Sequence, residues 1–262
     1  MSVPLTYMEF HLVFILPPLL VLGWFAWRRD DASWGRAPLS GLAIMLFLAV
    51  VYTTPWTNVM IPRGVWWYGD GAVLGTIWYT PIEEYLFFIL QPILTAFWLF
   101  QFLTVEDRSL LIPLSHRLAG AAGGLAICVL GYFLMGTTST FYLGSLLFWA
   151  GPILAIQWAF GITYLIKEVP RLLAVALVVP TLYLWTVDRI AIGLGIWSIS
   201  ETHTIGLSLL GLPVEEALFF FLTNVFLVQG IVLYMWLLDR PYEFAGVGWF
   251  SERAQAVDSE RA

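Results

Sequence analysis

Pro81-Ile82-Glu83-Glu84-Tyr85-Leu86-Phe87-Phe88 returns as Pro213-Val214-Glu215-Glu216-Ala217-Leu218-Phe219-Phe220, 132 residues later (213 minus 81). Each copy sets two adjacent carboxylates behind a proline, inside a run that is otherwise apolar and aromatic. Ionisable groups in such surroundings are costly and mark a functional site by default. One such pair could be accidental; two with the same flanks point to a shared purpose.

The rest of the chain is as apolar as these segments. Of 262 residues, 60% are hydrophobic and 11% charged, and the mean hydropathy is +0.83. A soluble domain carries roughly 25% charged residues, so this composition describes an integral membrane protein. Spanning a bilayer takes about 20 apolar residues. Seven runs qualify, at 10–27, 38–55, 76–103, 116–136, 141–165, 171–194 and 206–238. They do not alternate, and only helices and closed barrels satisfy their backbone in lipid, so the fold class is all-α with seven transmembrane helices. Pro17, Pro18, Pro81, Pro92, Pro152, Pro180 and Pro213 fall within runs, which neighbouring helices can accommodate. The first run lacks a basic flank and a small-residue cleavage site, so it is expected to stay as a helix. Cys128 has no second cysteine to pair with, which excludes a disulfide framework or a cysteine metal site. The net charge of −6 gives no support for a nucleic-acid partner.

With seven spans, Arg28, Arg29, Arg36, Arg108, Arg117, Lys167, Arg171, Arg240, Arg253 and Arg261 share one side, and Arg63 and Arg189 take the other. Lys and Arg collect in cytoplasmic loops. The expectation is a multi-pass protein of the cell membrane with its N-terminus outside and its C-terminus cytoplasmic. Self-similarity extends beyond the paired glutamates. Pro18 to Trp24 matches Pro152 to Trp158, and Tyr52 and Gly64-Val65-Trp66 match Tyr183 and Gly195-Ile196-Trp197 at an offset of 131. The change to 132 at the glutamates implies one inserted residue. The chain is therefore read as two parallel three-helix repeats, 1–105 and 140–239, joined by a connecting helix in 106–139 and followed by a cytoplasmic tail at 240–262. Gly120 and Gly124 give the connecting helix a spacing suited to close packing.

Adjacent helical residues point about 100° apart, so one carboxyl of each pair is expected to face a central cavity while its neighbour braces it. Glu83 is expected on the order of 10 Å below the outer end of its helix. A neutral acid beside a carboxylate is what acid–base chemistry requires; the alternative is that these glutamates only tie helices together. Asn58, Asp188 and Arg189 collect at the same level, and Asp188 falls where the repeat places Thr57. Asp188 and Arg189 are read either as a salt bridge over the site or as direct participants. Glu9 and His11 read as headgroup-level residues, and His203 as interfacial. Trp66, Tyr85, Phe87, Phe88, Trp197, Phe219 and Phe220 are candidates to line the cavity, or else to pack the core. Gly69-Asp70-Gly71 lies in a loop, no phosphate-binding loop or His/Cys cluster occurs, and no cofactor or metal is expected. Lys167, the only lysine, lies at a helix end, which removes a retinal Schiff base from consideration.

Taken together, Pro55-Trp56-Thr57-Asn58, Gly64-Val65-Trp66, the first paired-glutamate segment and Leu212-Pro213-Val214-Glu215-Glu216 with Phe219-Phe220 resemble the lycopene cyclase domain of small membrane-embedded carotenoid cyclases. Members occur as two subunits or one fused chain in bacteria and archaea, and joined to phytoene synthase in fungi; residues 7–239 resemble the fused form. Thr57 departs from the Asp common at that position. The resemblance implies a cofactor-free lycopene beta-cyclase. An acid protonates a terminal double bond, an internal double bond captures the cation, and a base removes a ring proton. One glutamate of each pair would donate, and its neighbour or Asp188 would accept. Asn58, Trp66, Tyr85, Phe87, Phe88, Arg189, Trp197, Phe219 and Phe220 would contact substrate. Lycopene from the bilayer, membrane lipid and neighbouring carotenoid-pathway enzymes are the implied partners. Alternatives are a cyclase of longer prenylated carotenoids, a non-catalytic carotenoid-binding protein, and a small-molecule transporter with three-plus-one-plus-three helices, which would need a polar path across the midplane.

Overall fold

The computed structural model describes residues 3–28, 35–103 and 112–238. Seven helices are long and apolar enough to cross a membrane. They are α1 (Tyr7–Trp27), α2 (Arg36–Met60), α3 (Ile82–Leu99), α4 (Leu114–Leu134), α5 (Phe141–Lys167), α6 (Pro170–Gly193) and α7 (Val214–Leu238). Each of the seven expected runs is represented. The expected tail, and the loop residues Arg29 and Arg108, lie outside the described residues.

The helices are joined at one end by short strands that the apolar runs concealed. These are β1 (Trp66–Tyr68), β2 (Thr76–Ile77), β3 (Thr80–Pro81), β4 (Trp197–Ile199), β5 (Ser208–Leu209) and β6 (Leu212–Pro213). Residues 76–81 and 206–213 were expected to be helical; instead β2 pairs with β3, and β5 with β6, as two tight hairpins. Pro81 and Pro213 explain the difference. Proline disfavours helix in the residue before it, so each helix begins at the following residue. Glu83 therefore lies in the first turn of α3, at its very end, rather than on the order of 10 Å below it. That position suits a carboxylate, because the N-terminal amides carry positive partial charge. The two-residue turns use left-handed backbone, at Trp78 (φ 58°) in one and at Leu210 (φ 52°) and Gly211 (φ 79°) in the other.

Strands β1 and β4 pair antiparallel across the molecule, with Trp66 opposite Ile199 and Tyr68 opposite Trp197. Each follows a helix that ends in a left-handed glycine, Gly64 (φ 69°) or Gly195 (φ 71°). Left-handed glycine caps a helix without a Cβ clash, and here it turns the chain inward. Strand side chains alternate, so Trp66, Tyr68, Trp197 and Ile199 share one face of this ribbon.

At the centre α3 and α7 cross between the other helices. Leu99, Phe100, Leu165, Val228, Ile231 and Trp236 are fully buried at the end remote from the hairpins. A polar cluster lies midway, where Gln91 and Thr95 both donate to Asn224 Oδ1 (2.7 and 2.8 Å) and Asn224 Nδ2 donates to Thr181 (2.9 Å). These groups satisfy one another, as buried polar groups must. Helix α4 packs backbone to backbone on α5. A Cβ at Gly124 would stand 2.2 Å from Ala155 N, and one at Gly120 2.4 Å from Trp158 O, so the glycine spacing has the expected use.

Candidate active site

The N-terminal ends of α1, α3, α5 and α7 and the C-terminal ends of α2 and α6 meet beneath the β1–β4 ribbon. They enclose a cavity of about 50 Å³. Glu84, Glu216 and Asp188 reach it from α3, α7 and α6, and the walls are aromatic: Tyr7, Trp56, Trp66, Tyr68, Phe87, Tyr142, Trp197, Phe219 and Phe220, with Ile199. Three acids from three helices thus share one enclosure.

Within each pair the two glutamates do different things. Glu83 is fully buried and accepts the Leu74 N–H (2.7 Å), and Glu215, equally buried, accepts the Ile205 N–H (2.8 Å). Both hold the loop that precedes their hairpin. Glu84 and Glu216 turn to the cavity, while their neighbours bind loop amides and do not brace them as expected. The bonded amide precedes its glutamate by nine residues in the first copy and by ten in the second, which locates the one-residue insertion. Gly206, with φ of 75°, lies in the longer loop.

Tyrosines orient the facing carboxyls. Tyr142 donates to Glu216 Oε1 at 2.6 Å, and Tyr7 donates to Glu84 Oε2 at 2.8 Å. Tyr68 also donates to Glu84 Oε2, at 3.0 Å, and itself accepts the Trp66 indole N–H at 3.2 Å. Burial, and next to it the charge of Glu84, push the Tyr68 phenol well above its ordinary range, so it remains a proton-bearing donor. Asp188 is buried; its Oδ1 accepts the Trp197 indole N–H at 2.9 Å, while Oδ2 has no protein partner.

The remaining candidates divide. Trp66, Trp197, Phe219, Phe220 and Phe87 line the cavity. Phe88 lines an adjoining apolar cavity of about 460 Å³, and Phe87 and Phe219 belong to both. Asn58, Tyr85 and Arg189 lie outside the enclosure. Asn58 accepts the Tyr79 N–H (2.8 Å), Tyr85 donates to Ile77 O (3.3 Å), and exposed Arg189 donates to Leu210 O (2.6 Å). All three hold hairpins, so Arg189 neither contacts the cavity nor needs Asp188 as its partner. His11, expected at headgroup level, is buried in a π-turn of α1 and stacks on Tyr7. Glu9 caps the same helix with Thr6. Thr57 is buried and donates back to Thr53 O (3.2 Å).

Tyr7, Tyr68, Tyr142 and Trp56 were not singled out from sequence. A signal existed for two of them: Tyr7 precedes Pro17 by ten residues, as Tyr142 precedes Pro152. The π-turn His11–Ile15 widens α1 between Tyr7 and Pro18, which is why Pro18 and Pro152 align at 134 and the tyrosines at 135.

These features define a multi-span helical bundle with an acid cluster lined by aromatic rings. The lycopene cyclase family profile matches residues 5–103 and 137–237, and the chain belongs to that family. A lycopene beta-cyclase of Halobacterium salinarum is 45% identical over 236 residues, which cover 90% of this chain and 98% of that protein. Bifunctional lycopene cyclase/phytoene synthases of Arthroderma gypseum and Blakeslea trispora are 33% and 34% identical and match 87% and 86% of this chain, which spans 41% and 38% of their length. No solved structure matches.

Proposed function

We propose that this chain is a lycopene beta-cyclase that closes the open end-groups of lycopene into beta-rings without net redox change. The observation that carries this reading is the convergence of Glu84, Glu216 and Asp188 on one aromatic-walled cavity that adjoins an apolar one. Ring closure needs a proton donor, a proton acceptor and exclusion of water from a carbocation. Three carboxyls cannot all be charged in such an enclosure, so the cluster holds at least one proton.

The hydrogen bonds support one assignment of donor and acceptor. Glu84 Oε2 accepts two O–H bonds, which favour its carboxylate form, so Glu84 is assigned as the acceptor. Asp188 Oδ2 has no protein partner, so a proton there is free to move to substrate. In this assignment the Asp188–Glu216 side protonates the terminal double bond and leaves a tertiary cation. The nearby internal double bond attacks it to form the ring carbon–carbon bond. Glu84 then removes a ring proton, restoring a double bond and the proton count. The aromatic faces of Trp66, Trp197, Phe219 and Phe220 stabilise the cation. Glu83 and Glu215 hold the loops, and Asn58, Tyr85 and Arg189 hold the hairpins.

The architecture belongs to the same reading. Helices α1–α3 and α5–α7 are two parallel repeats, 1–105 and 140–239, with α4 connecting them in 106–139. The paired contacts of Tyr7 with Glu84 and Tyr142 with Glu216 support that relation. In the cell membrane the hairpin end faces outward and the tail at 240–262 is cytoplasmic. Lycopene arrives from the bilayer, with membrane lipid around the bundle and carotenoid-pathway enzymes as neighbours. The polar cluster around Asn224 is closed on itself and offers no transport path.

Expression in a lycopene-accumulating host tests this. The expected outcome is conversion to a ringed product of unchanged mass that absorbs at shorter wavelength. Unaltered lycopene beside correctly inserted protein would overturn the reading.

A further inference from the structure

The apolar cavity of about 460 Å³ is a long cleft between α2 and α5, floored by α7. Met45, Leu48 and Ala49 form one wall, and Ile153, Ile156 and Phe160 form the other. Along α7 it runs from Phe219 to Leu237, 18 residues or about 27 Å of helix. Leu48 and Ile156 are 45% and 71% exposed, so the cleft opens sideways, where lipid would lie. Its inner end meets the acid cavity at Phe87 and Phe219.

The related face, between α6 and α1 over α3, is built differently. Gly230 of α7 corresponds to Trp98 of α3, 132 residues earlier, the same offset as Glu84 and Glu216. Glycine lets the flexible Met45 side chain lie over the floor, its Sδ 2.2 Å from where a Cβ would stand. The Trp98 indole crosses to α6 and donates to Val175 O at 3.0 Å. Phe97 packs over Gly23 of α1, while the bond from Tyr183 to Phe14 O only repeats that from Tyr52 to Trp149 O beside the cleft and does not tell the faces apart. Bulk therefore occupies on one face what is open on the other.

We propose that the α2–α5 cleft holds the polyene of the substrate, with one end-group passing Phe87 and Phe219 to the carboxyls, and that the α6–α1 face gives no second approach. A linear hydrocarbon with two open ends must then leave and return end-for-end to receive its second ring. This rests on the proposed cyclisation and adds the route and its one-sidedness.

The test substitutes matched wall positions. Ala49→Trp obstructs the cleft, Leu48→Trp narrows its mouth, and Val179→Trp alters the position on α6 that corresponds to Leu48. Each is measured for rings formed in lycopene-containing membranes at equal protein level. Each is also measured, in a Glu216→Gln background, for lycopene retained through purification. Ala49→Trp is expected to lose about tenfold or more in both, equivalent to ~1.4 kcal/mol of binding. Leu48→Trp should lose less, and Val179→Trp should match the unsubstituted protein. A time course should show free one-ring product rising before two-ring product. Unchanged retention and turnover in both Ala49→Trp and Leu48→Trp, or two-ring product with no one-ring pool, would overturn the proposal. Failure of the unsubstituted protein to form rings, with retention still blocked by Ala49→Trp, would instead remove the cyclase reading and leave the binding cleft standing.

Discussion

The surroundings of Glu84 and of Glu216 are built largely from the same parts; Trp56 stands in the wall where the match is Val187, and two further differences touch the polar groups. Around Glu84, Tyr68 adds a second hydroxyl, and Thr57 stands where an acid would reach the tryptophan. Around Glu216 the acid is present as Asp188, and Ile199 replaces the phenol. The indole follows the change: Trp66 donates to Tyr68, and Trp197 to Asp188. If the two halves are repeats, as proposed, the scaffold occurs twice while the chemical groups are divided. One side presents a carboxyl held by two donors, the other a pair of acids with a free oxygen. The proposed reaction needs one donor and one acceptor in a single cavity, and the proposed assignment takes one from each side.

That division can be broken by substitution. The largest effect is expected at Asp188→Asn, a loss of about 10²–10⁴ in ring formation, the usual contribution of a positioned acid. The check is the rate of product formation in lycopene-containing membranes. A variant within a few-fold of the parent would remove the proton donor. Next, Tyr142→Phe removes the one tyrosine that donates to Glu216 among the described residues and should cost about tenfold, as for a hydrogen bond to a charged group. Tyr68→Phe should cost less, because Glu84 keeps Tyr7. The reverse order would show that the two sides had been assigned the wrong way round. Glu83→Gln should lower thermal stability by ~1–3 kcal/mol, seen as a lower melting temperature, while turnover per folded molecule is kept. The smallest change is expected of Thr57→Asp. If the copies were independent active sites, a restored acid would raise turnover; in a shared cavity it gives no gain.

The seven spans were legible because burial in lipid demands long apolar helices, and the paired glutamates stood out because charge is scarce there. Pro81 and Pro213 were read as tolerated within helices. In fact they start them, and the two-residue turns at Trp78 and Leu210 depend on backbone angles that composition does not reveal. The facing carboxyl could not be chosen in advance, since a helix of unknown rotation presents either member of an adjacent pair. The cross-molecular pairing of Trp66 with Ile199 had no local signal at all. Tyr7 and Tyr142 were within reach through their matched distance to a proline, but the π-turn in α1 shifted the register and concealed the match.

Neighbouring residues provide the most direct measurement. Glu215 and Glu216 share a helix turn and a side-chain type, yet one holds the Ile205 amide and the other faces the cavity. Ring formation by Glu215→Gln and Glu216→Gln, each normalised to folded protein in the membrane, separates their roles. The account predicts turnover close to the parent for Glu215→Gln and a loss of about 100-fold or more for Glu216→Gln. Equal losses, or the greater loss at Glu215, would contradict it.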